Sequence, residues 1–362
     1  MFEKLRKVCI AFRIPGTLLR YEEIKQGNVN RTFRVIFRQD DGSEKAYMVQ
    51  RVNTYVFEQP VQVMDNIDAV TEYLRRKNPD RKALHFHHTA DRKTYVFDEN
   101  GFWRLFNFID SRTFDHCEDL AVIRSAGRAF GQFQRELGDF NAAALYATIP
   151  YFHDTPCRYQ KLENDAREDP QGLVSQVRDE LDWLFSVKKE ACQLTDLFLR
   201  GELPLRVTHN DTKINNVLFE KEGTDAIVVI DLDTVMPGLV GHDFGDAIRF
   251  AANYVEEDSR DADHAGLNMA VFRAFTEGFL EQTAATLTDR EVDTLALSCF
   301  AMTCELATRF LDDYILGSPY FKTEYPTHNL VRARCQIALA KDMRDHLHEM
   351  QHIIYRCVRD AR

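Results

Sequence analysis

The first hundred or so residues carry short apolar runs broken by turn residues, the pattern of strands. Phe33-Arg34-Val35-Ile36-Phe37 leads through Gln39-Asp40-Asp41-Gly42 into Ala46-Tyr47-Met48-Val49-Gln50-Arg51, which predicts a hairpin around an Asp-Gly turn. A second hairpin is predicted from Tyr95–Asp98 through Asn100-Gly101 to Trp103–Ile109. Between them Pro60 opens a helix with Val63, Ile67, Val70 and Leu74 on one stripe, ending near Asn78-Pro79. From about Asp119 the period becomes helical. Val122, Ile123, Ala126, Phe130, Phe133 and Leu137 form the first stripe, with Gly138 as its stop, and a second helix is predicted over Val177–Leu199. Two short strands follow, Val217–Phe219 and Ala226–Ile230, and the chain from Asp243 onward is mostly helical in pattern. The fold class predicted is α+β. A small β-rich lobe with one main helix spans 1–105, a connection spans 106–111, and a larger, mostly helical lobe spans 112–362.

Composition narrows the function classes. A chain of 362 residues with 44% hydrophobic and 28% charged positions fits two soluble lobes. The formal net charge of -11 argues against a nucleic-acid partner, since phosphate backbones must be met by Lys and Arg. The eight cysteines are scattered without a CxxC pair, which speaks against a disulfide scaffold or a zinc site and for a reducing cytoplasm. Val8–Phe12 is too short for a signal h-region, and no apolar run predicts a membrane span.

The chemistry concentrates in Val207–Phe219. His209-Asn210-Asp211 is followed by Asn216, five residues after the Asp, a spacing that protein kinases use in their catalytic loop. There the Asp orients the acceptor hydroxyl and the Asn holds a Mg ion, so a carboxylate faces the nucleophile while an amide oxygen faces the metal. Lys213 is placed to offset charge on the transferring phosphoryl group. The apolar run Ala226–Ile230 ends in Asp231, a second candidate metal ligand. Asp243-Phe244-Gly245 spells the protein-kinase metal motif, but it follows the loop Pro237–Gly241. Asp243 is therefore expected to serve as a helix N-cap and to brace the catalytic loop. Each motif alone occurs by chance; their combination with a β-rich lobe upstream is much rarer. The chain contains no P-loop motif, which excludes a P-loop kinase.

Thr208–Asn216 together with Ile230–Gly238 resembles the aminoglycoside phosphotransferase / choline kinase superfamily, whose fold is protein-kinase-like. Within it, the bacterial N-acetylhexosamine 1-kinases are the most similar, through further stretches at Gly27–Phe33, Gln50–Thr54, Phe152–Pro156, Asp243–Phe250 and Tyr325–Arg332. The resemblance implies transfer of a phosphoryl group from ATP to the anomeric hydroxyl of N-acetylglucosamine or N-acetylgalactosamine. It implies Asp211 as base, Lys213 beside it, and Asn216 and Asp231 as Mg2+ ligands. Thr212, Asp233 and Arg309 are expected to meet the sugar, although a helix-surface salt bridge would equally account for Arg309. Gly27, Asn28 and Asn30 would lie over the phosphates, and the connection Phe106-Asn107-Phe108 would meet adenine through backbone groups. One departure stands out. The third-strand Lys of protein kinases is replaced by Gln50 with Arg51 next to it, so either residue is a candidate for the phosphates, and the acidic partner on the Pro60 helix could be Asp65 or Asp68. The alternatives are a kinase for an aminoglycoside, choline, homoserine or another sugar, and a nucleotide-binding pseudokinase. The expected partners are ATP and a small molecule.

Overall fold

The computed structural model describes residues 1–25 and 29–362. The expected Gly27 and Asn28 contacts lie outside the described residues. The chain forms two compact units. The first comprises 1–112, 143–149 and 230–236; the second comprises 113–142, 150–229 and 237–362.

The first unit is built on a five-stranded antiparallel sheet. Helix α1 (Phe2–Ala11) precedes strands β1 (Thr17–Ile24), β2 (Arg31–Arg38) and β3 (Glu44–Val52). Helix α2 (Pro60–Lys77) then leads to β4 (Val96–Asp98) and β5 (Gly101–Asn107), with sheet order β1-β2-β3-β5-β4. The Asp-Gly turn places Phe33 opposite Val49 and Val35 opposite Tyr47. One sheet face buries Phe33, Val35, Tyr47, Val49, Trp103 and Leu105 beneath Leu5 and Val8 of α1. Pro60 starts α2, as its fixed φ suits the first helical turn, and Val63, Met64, Ile67 and Val70 form the buried stripe. Asn66 stands in that stripe for a polar reason. Its amide nitrogen donates to the carbonyls of Tyr146 (2.8 Å) and Val235 (2.9 Å), and its oxygen accepts from the Tyr146 amide (2.9 Å). These bonds tie 143–149 and 230–236 to the first unit despite their distance in sequence.

The second unit is a helical assembly with a small hairpin. It begins with α3 (Leu120–Glu136), whose N-cap Asp119 accepts from the Ala121 amide, and α4 (Thr155–Glu168). The predicted helix over Val177–Leu199 is broken at Cys192 into α5 (Arg178–Ala191) and α6 (Gln193–Leu199). Strand β6 (Arg206–Thr208) enters the catalytic loop, and β7 (Val217–Phe219) pairs antiparallel with β8 (Ala226–Val229). The remainder is α7 (Val240–Ala251), α8 (Met269–Thr283), α9 (Asp289–Ile315) and α10 (His328–Ala361). Helix α9 is long and apolar enough to cross a membrane by composition, but it is the core of this unit, packed on α4, α5, α7 and α10. Gly245 of α7 lies so close to α9 that a Cβ there would collide with the Ser298 carbonyl. That close approach sets the height at which α7 presents its acidic residues to the catalytic loop.

Candidate active site

Within the second unit, the segment after β6 turns sharply. Asn210 has φ 65°, a left-handed conformation that Asn tolerates better than most residues, and it swings Asp211 out of the strand direction. Lys213 Nζ lies 3.0 Å from one Asp211 carboxylate oxygen. Asn216 Nδ2 donates to the other at 3.1 Å and to the Asp211 carbonyl at 2.8 Å. Burial works to raise the Asp211 pKa, but the charge interactions with Lys213 and His209 and the hydrogen bonds from Lys213 and Asn216 outweigh it. The carboxyl therefore stays ionised below its usual range. The charge of Asp211 in turn raises Lys213. Because Asn216 turns its amide nitrogen toward Asp211, its oxygen has no protein donor among the described residues. An unengaged amide oxygen is a ligand that a hard cation such as Mg2+ can take.

The loop is held from behind by α7. Asp243 Oδ2 accepts from the His209 amide (2.9 Å) and from Gln134 Nε2 of α3 (2.5 Å), and Oδ1 accepts from the Asn210 amide (2.7 Å). Asp243 is thus a brace of the catalytic loop. It is not the N-cap, however: Leu239 holds that position and Asp243 sits inside the first turn of α7. Burial pushes the Asp243 carboxyl up, opposed by His209 and by these hydrogen bonds. Thr212 is buried. Its amide donates to Asp246 (2.9 Å) and its hydroxyl to the Asp243 carbonyl (2.6 Å), so the side chain expected to meet the acceptor is engaged inside the unit. Asp243→Asn would turn an amide NH2 toward backbone N–H groups that need an acceptor, at a cost of about 1–3 kcal/mol. The expected result is a lower melting temperature with an unchanged Mg2+ requirement in the residual activity; a selective rise in that requirement would make Asp243 a metal ligand.

The first unit carries most of the other candidates. Asp231 is exposed and adopts φ 60° and ψ 61°, the strained left-handed conformation that often marks functional residues. Two residues on, Asp233 is buried and ion-paired with the equally buried Arg104 of β5. Asn30 Nδ2 donates to the other Asp233 oxygen at 2.6 Å, while Asn30 Oδ1 accepts from the Asn53 amide at 2.9 Å. Asp233 and Asn30, read from the sequence as sugar and phosphate contacts, therefore have their side chains engaged with each other and with neighbours. Gln50 is also committed at both ends: it donates to Thr32 Oγ1 (2.9 Å) and accepts from Arg104 Nε (2.8 Å). Arg51 points to the opposite face, where its guanidinium lies against Gly101. The buried cation of this sheet is therefore Arg104, the register partner of Gln50, and its acid is Asp233 rather than a residue of α2. Asp68 instead faces His88 at 3.2 Å, and burial together with Asp68 raises the Asp65 carboxyl. Arg104 had a sequence signal, a lone charge in the apolar run Phe102–Phe106. Phe106 continues β5 opposite Met48 and packs on Phe86, and Phe108 carries the Arg34 guanidinium over its ring at 4.3 Å.

Arg309, on α9, is half-buried and lies between two aromatic rings, with its guanidinium carbon 5.5 Å from the centroids of both Phe152 and Phe321. It makes no ion pair among the described residues, so it is not a helix-surface salt bridge.

Residues 20–280 match the model of the phosphotransferase enzyme family, well over half of the chain. The chain belongs to the phosphotransferase enzyme family. Solved structures share its fold at low identity. A microcompartment-associated aminopropanol kinase is 16% identical, with a TM-score of 0.66 and coverage of 97% of this chain and 99% of that one. An aminoglycoside phosphotransferase from Alicyclobacillus acidocaldarius is 12% identical, with a TM-score of 0.59 over 97% and 96% of the two chains. A choline kinase from Cryptosporidium parvum is 13% identical, with a TM-score of 0.56 over 97% of each. The α+β, protein-kinase-like fold expected from the sequence is the fold of this family, with a small antiparallel sheet lobe and a larger helical lobe.

Proposed function

We propose that this phosphotransferase moves the γ-phosphoryl group of ATP to the anomeric hydroxyl of an N-acetylhexosamine, N-acetylglucosamine or N-acetylgalactosamine, giving the sugar 1-phosphate and ADP. The observation that carries phosphoryl transfer is the Asp211 cluster, an ionised carboxylate flanked by an ammonium and by an amide whose oxygen is unengaged. Asp211 orients the acceptor hydroxyl and takes its proton as the new oxygen–phosphorus bond forms and the bond to ADP breaks. Lys213 lies beside Asp211 and stabilises charge on the transferring group. Asn216 would be a ligand of Mg2+, which would neutralise the phosphates; Asp231 is the second ligand that the family resemblance implies. The amino-sugar acceptor rests on the family resemblance and on Arg309. Phe152 and Phe321 offer apolar faces for the ring C–H groups, and the guanidinium offers donors for sugar oxygens. Phe108 and the end of β5 are the proposed adenine contacts.

The test is an acceptor screen with purified protein, ATP and Mg2+. Amino sugars, neutral sugars, choline, aminopropanol, homoserine and aminoglycosides would be compared by ADP release and by 31P NMR of the product. A sugar 1-phosphate formed with kcat/KM at least tenfold above every other class supports the reading. Preference for another alcohol retains the chemistry and replaces the acceptor; ATP binding with no phosphorylated product points to a pseudokinase.

A further inference from the structure

Behind the catalytic loop lies a second ionisable cluster that phosphoryl transfer does not itself require. His153 precedes α4 in the stretch Phe152–Pro156, and its side chain is only 7% exposed. Nδ1 lies 2.9 Å from a Glu305 carboxylate oxygen, and Nε2 lies 3.3 Å from the carbonyl oxygen of Asn210. Thr155 donates to the second Glu305 oxygen at 2.7 Å. Glu305 is buried on α9. Burial opposes its ionisation, but His153, Thr155 and Arg309 hold its carboxyl down at about 2. A carboxylate and a carbonyl both only accept, so satisfying both ring nitrogens requires two ring protons. His242 of α7 lies 4.9 Å away, centroid to centroid, and burial reinforced by the charge of His153 pushes it down to about 3, which leaves it neutral. Arg309 sits over the ring of the adjacent Phe152, so Glu305 is the one anion against His153 among these groups.

We propose that His153, held between Glu305 and the Asn210 carbonyl, is a positioning residue that fixes Asp211 through that carbonyl. Asn210 occupies the left-handed bend, and a donor on its carbonyl locks the peptide that leads into Asp211. Asp243 holds the amide of Asn210 from the other side, so the residue before the base is clamped at both of its backbone polar groups. The inference rests on the proposed role of Asp211.

Two measurements test it. In the first, kinetics with the acceptor found by the screen compare His153→Phe, His153→Gln and Glu305→Gln. Phe should lower kcat by about a hundredfold, the scale of a small misplacement of a reacting group. Gln, which retains a donor, and Glu305→Gln should each lower kcat less, by about tenfold, with KM for ATP and acceptor within about twofold of wild type. If the Phe variant does not fold, the Gln variant decides. In the second, 15N NMR of the histidine rings should show both nitrogens of His153 donating, as its two acceptors require, with the signal assigned by its loss in His153→Gln, and Glu305→Gln should change the Nδ1 signal. An unchanged kcat in a folded variant, or a wild-type His153 ring with only one donating nitrogen, overturns the proposal. A wild-type chain that phosphorylates nothing removes the phosphoryl-transfer reading and the positioning role with it, while the NMR result still reports the contacts of His153 on its own.

Discussion

Asp211→Asn is expected to lower kcat by roughly 10²–10⁴-fold, the usual contribution of a positioned acid or base. The substitution is nearly isosteric, so Asn216 retains an oxygen to donate to, and the backbone bonds that Asp243 makes to His209 and Asn210 are untouched. What goes is the negative charge that faces Lys213 at 3.0 Å, and with it the proposed acceptor of the substrate proton. Binding of ATP and acceptor, measured calorimetrically, should therefore stay within a few-fold of wild type. The pH dependence is fixed in sign. A carboxyl whose folded pKa lies below its unfolded value of about 3.9 is fully ionised from pH 5 upward. It contributes stability above the unfolded pKa that is lost as pH falls through the folded one. An acid limb of the rate near pH 6 must then belong to a group other than Asp211. Near-normal turnover in the Asn variant would remove Asp211 from catalysis.

Arg104→Leu carries the largest expected loss of stability. The guanidinium bridges three partners: Asp233, Gln50 Oε1, and the Met64 sulfur at 3.8 Å. Its removal leaves the Asp233 carboxylate buried with, among the described residues, Asn30 alone to bind it, and breaking a buried pair by deleting one partner typically costs about 3–5 kcal/mol. Asp233→Asn added to Arg104→Leu should recover part of that loss, because the stranded charge is gone, and the two effects should be strongly non-additive. The urea midpoints of the two single variants and the double variant measure this. An unchanged midpoint in Arg104→Leu would mean that the pair contributes nothing to the fold.

Much of this was legible in the residues, for physical reasons. Strong periodicity and turn chemistry placed β2, β3, α2 and α3 within a residue or two, since each has an apolar face and a defined start or stop. Helix α1 was overlooked even though Leu5, Val8 and Cys9 lie at helical spacing, because a ten-residue stripe is weak before its packing is known. Helix α4 was overlooked although Asp154-Thr155-Pro156 is a start signal, an N-cap followed by Pro in the first turn. The spacing of Asp211 and Asn216 brings them into contact because they are joined by a short stretch of backbone. Arg104, Gln134, His153 and Glu305 could not be paired from the sequence. Their partners lie 129, 109, 57 and 152 residues away, respectively, and only the folded chain brings them together.

Helix α9 bears on how this protein is made. It emerges from the ribosome as an apolar stretch resembling a membrane span, and Leu330, Ala333, Ile337 and Ala340 of α10, which cover part of it, are synthesised only afterwards. Until α10 is made, the face of α9 that these residues cover stays exposed, and transiently exposed apolar surface is prone to aggregate. Truncations within α10 would leave that face exposed indefinitely, so a chain shortened there would aggregate even with every residue of the catalytic loop intact.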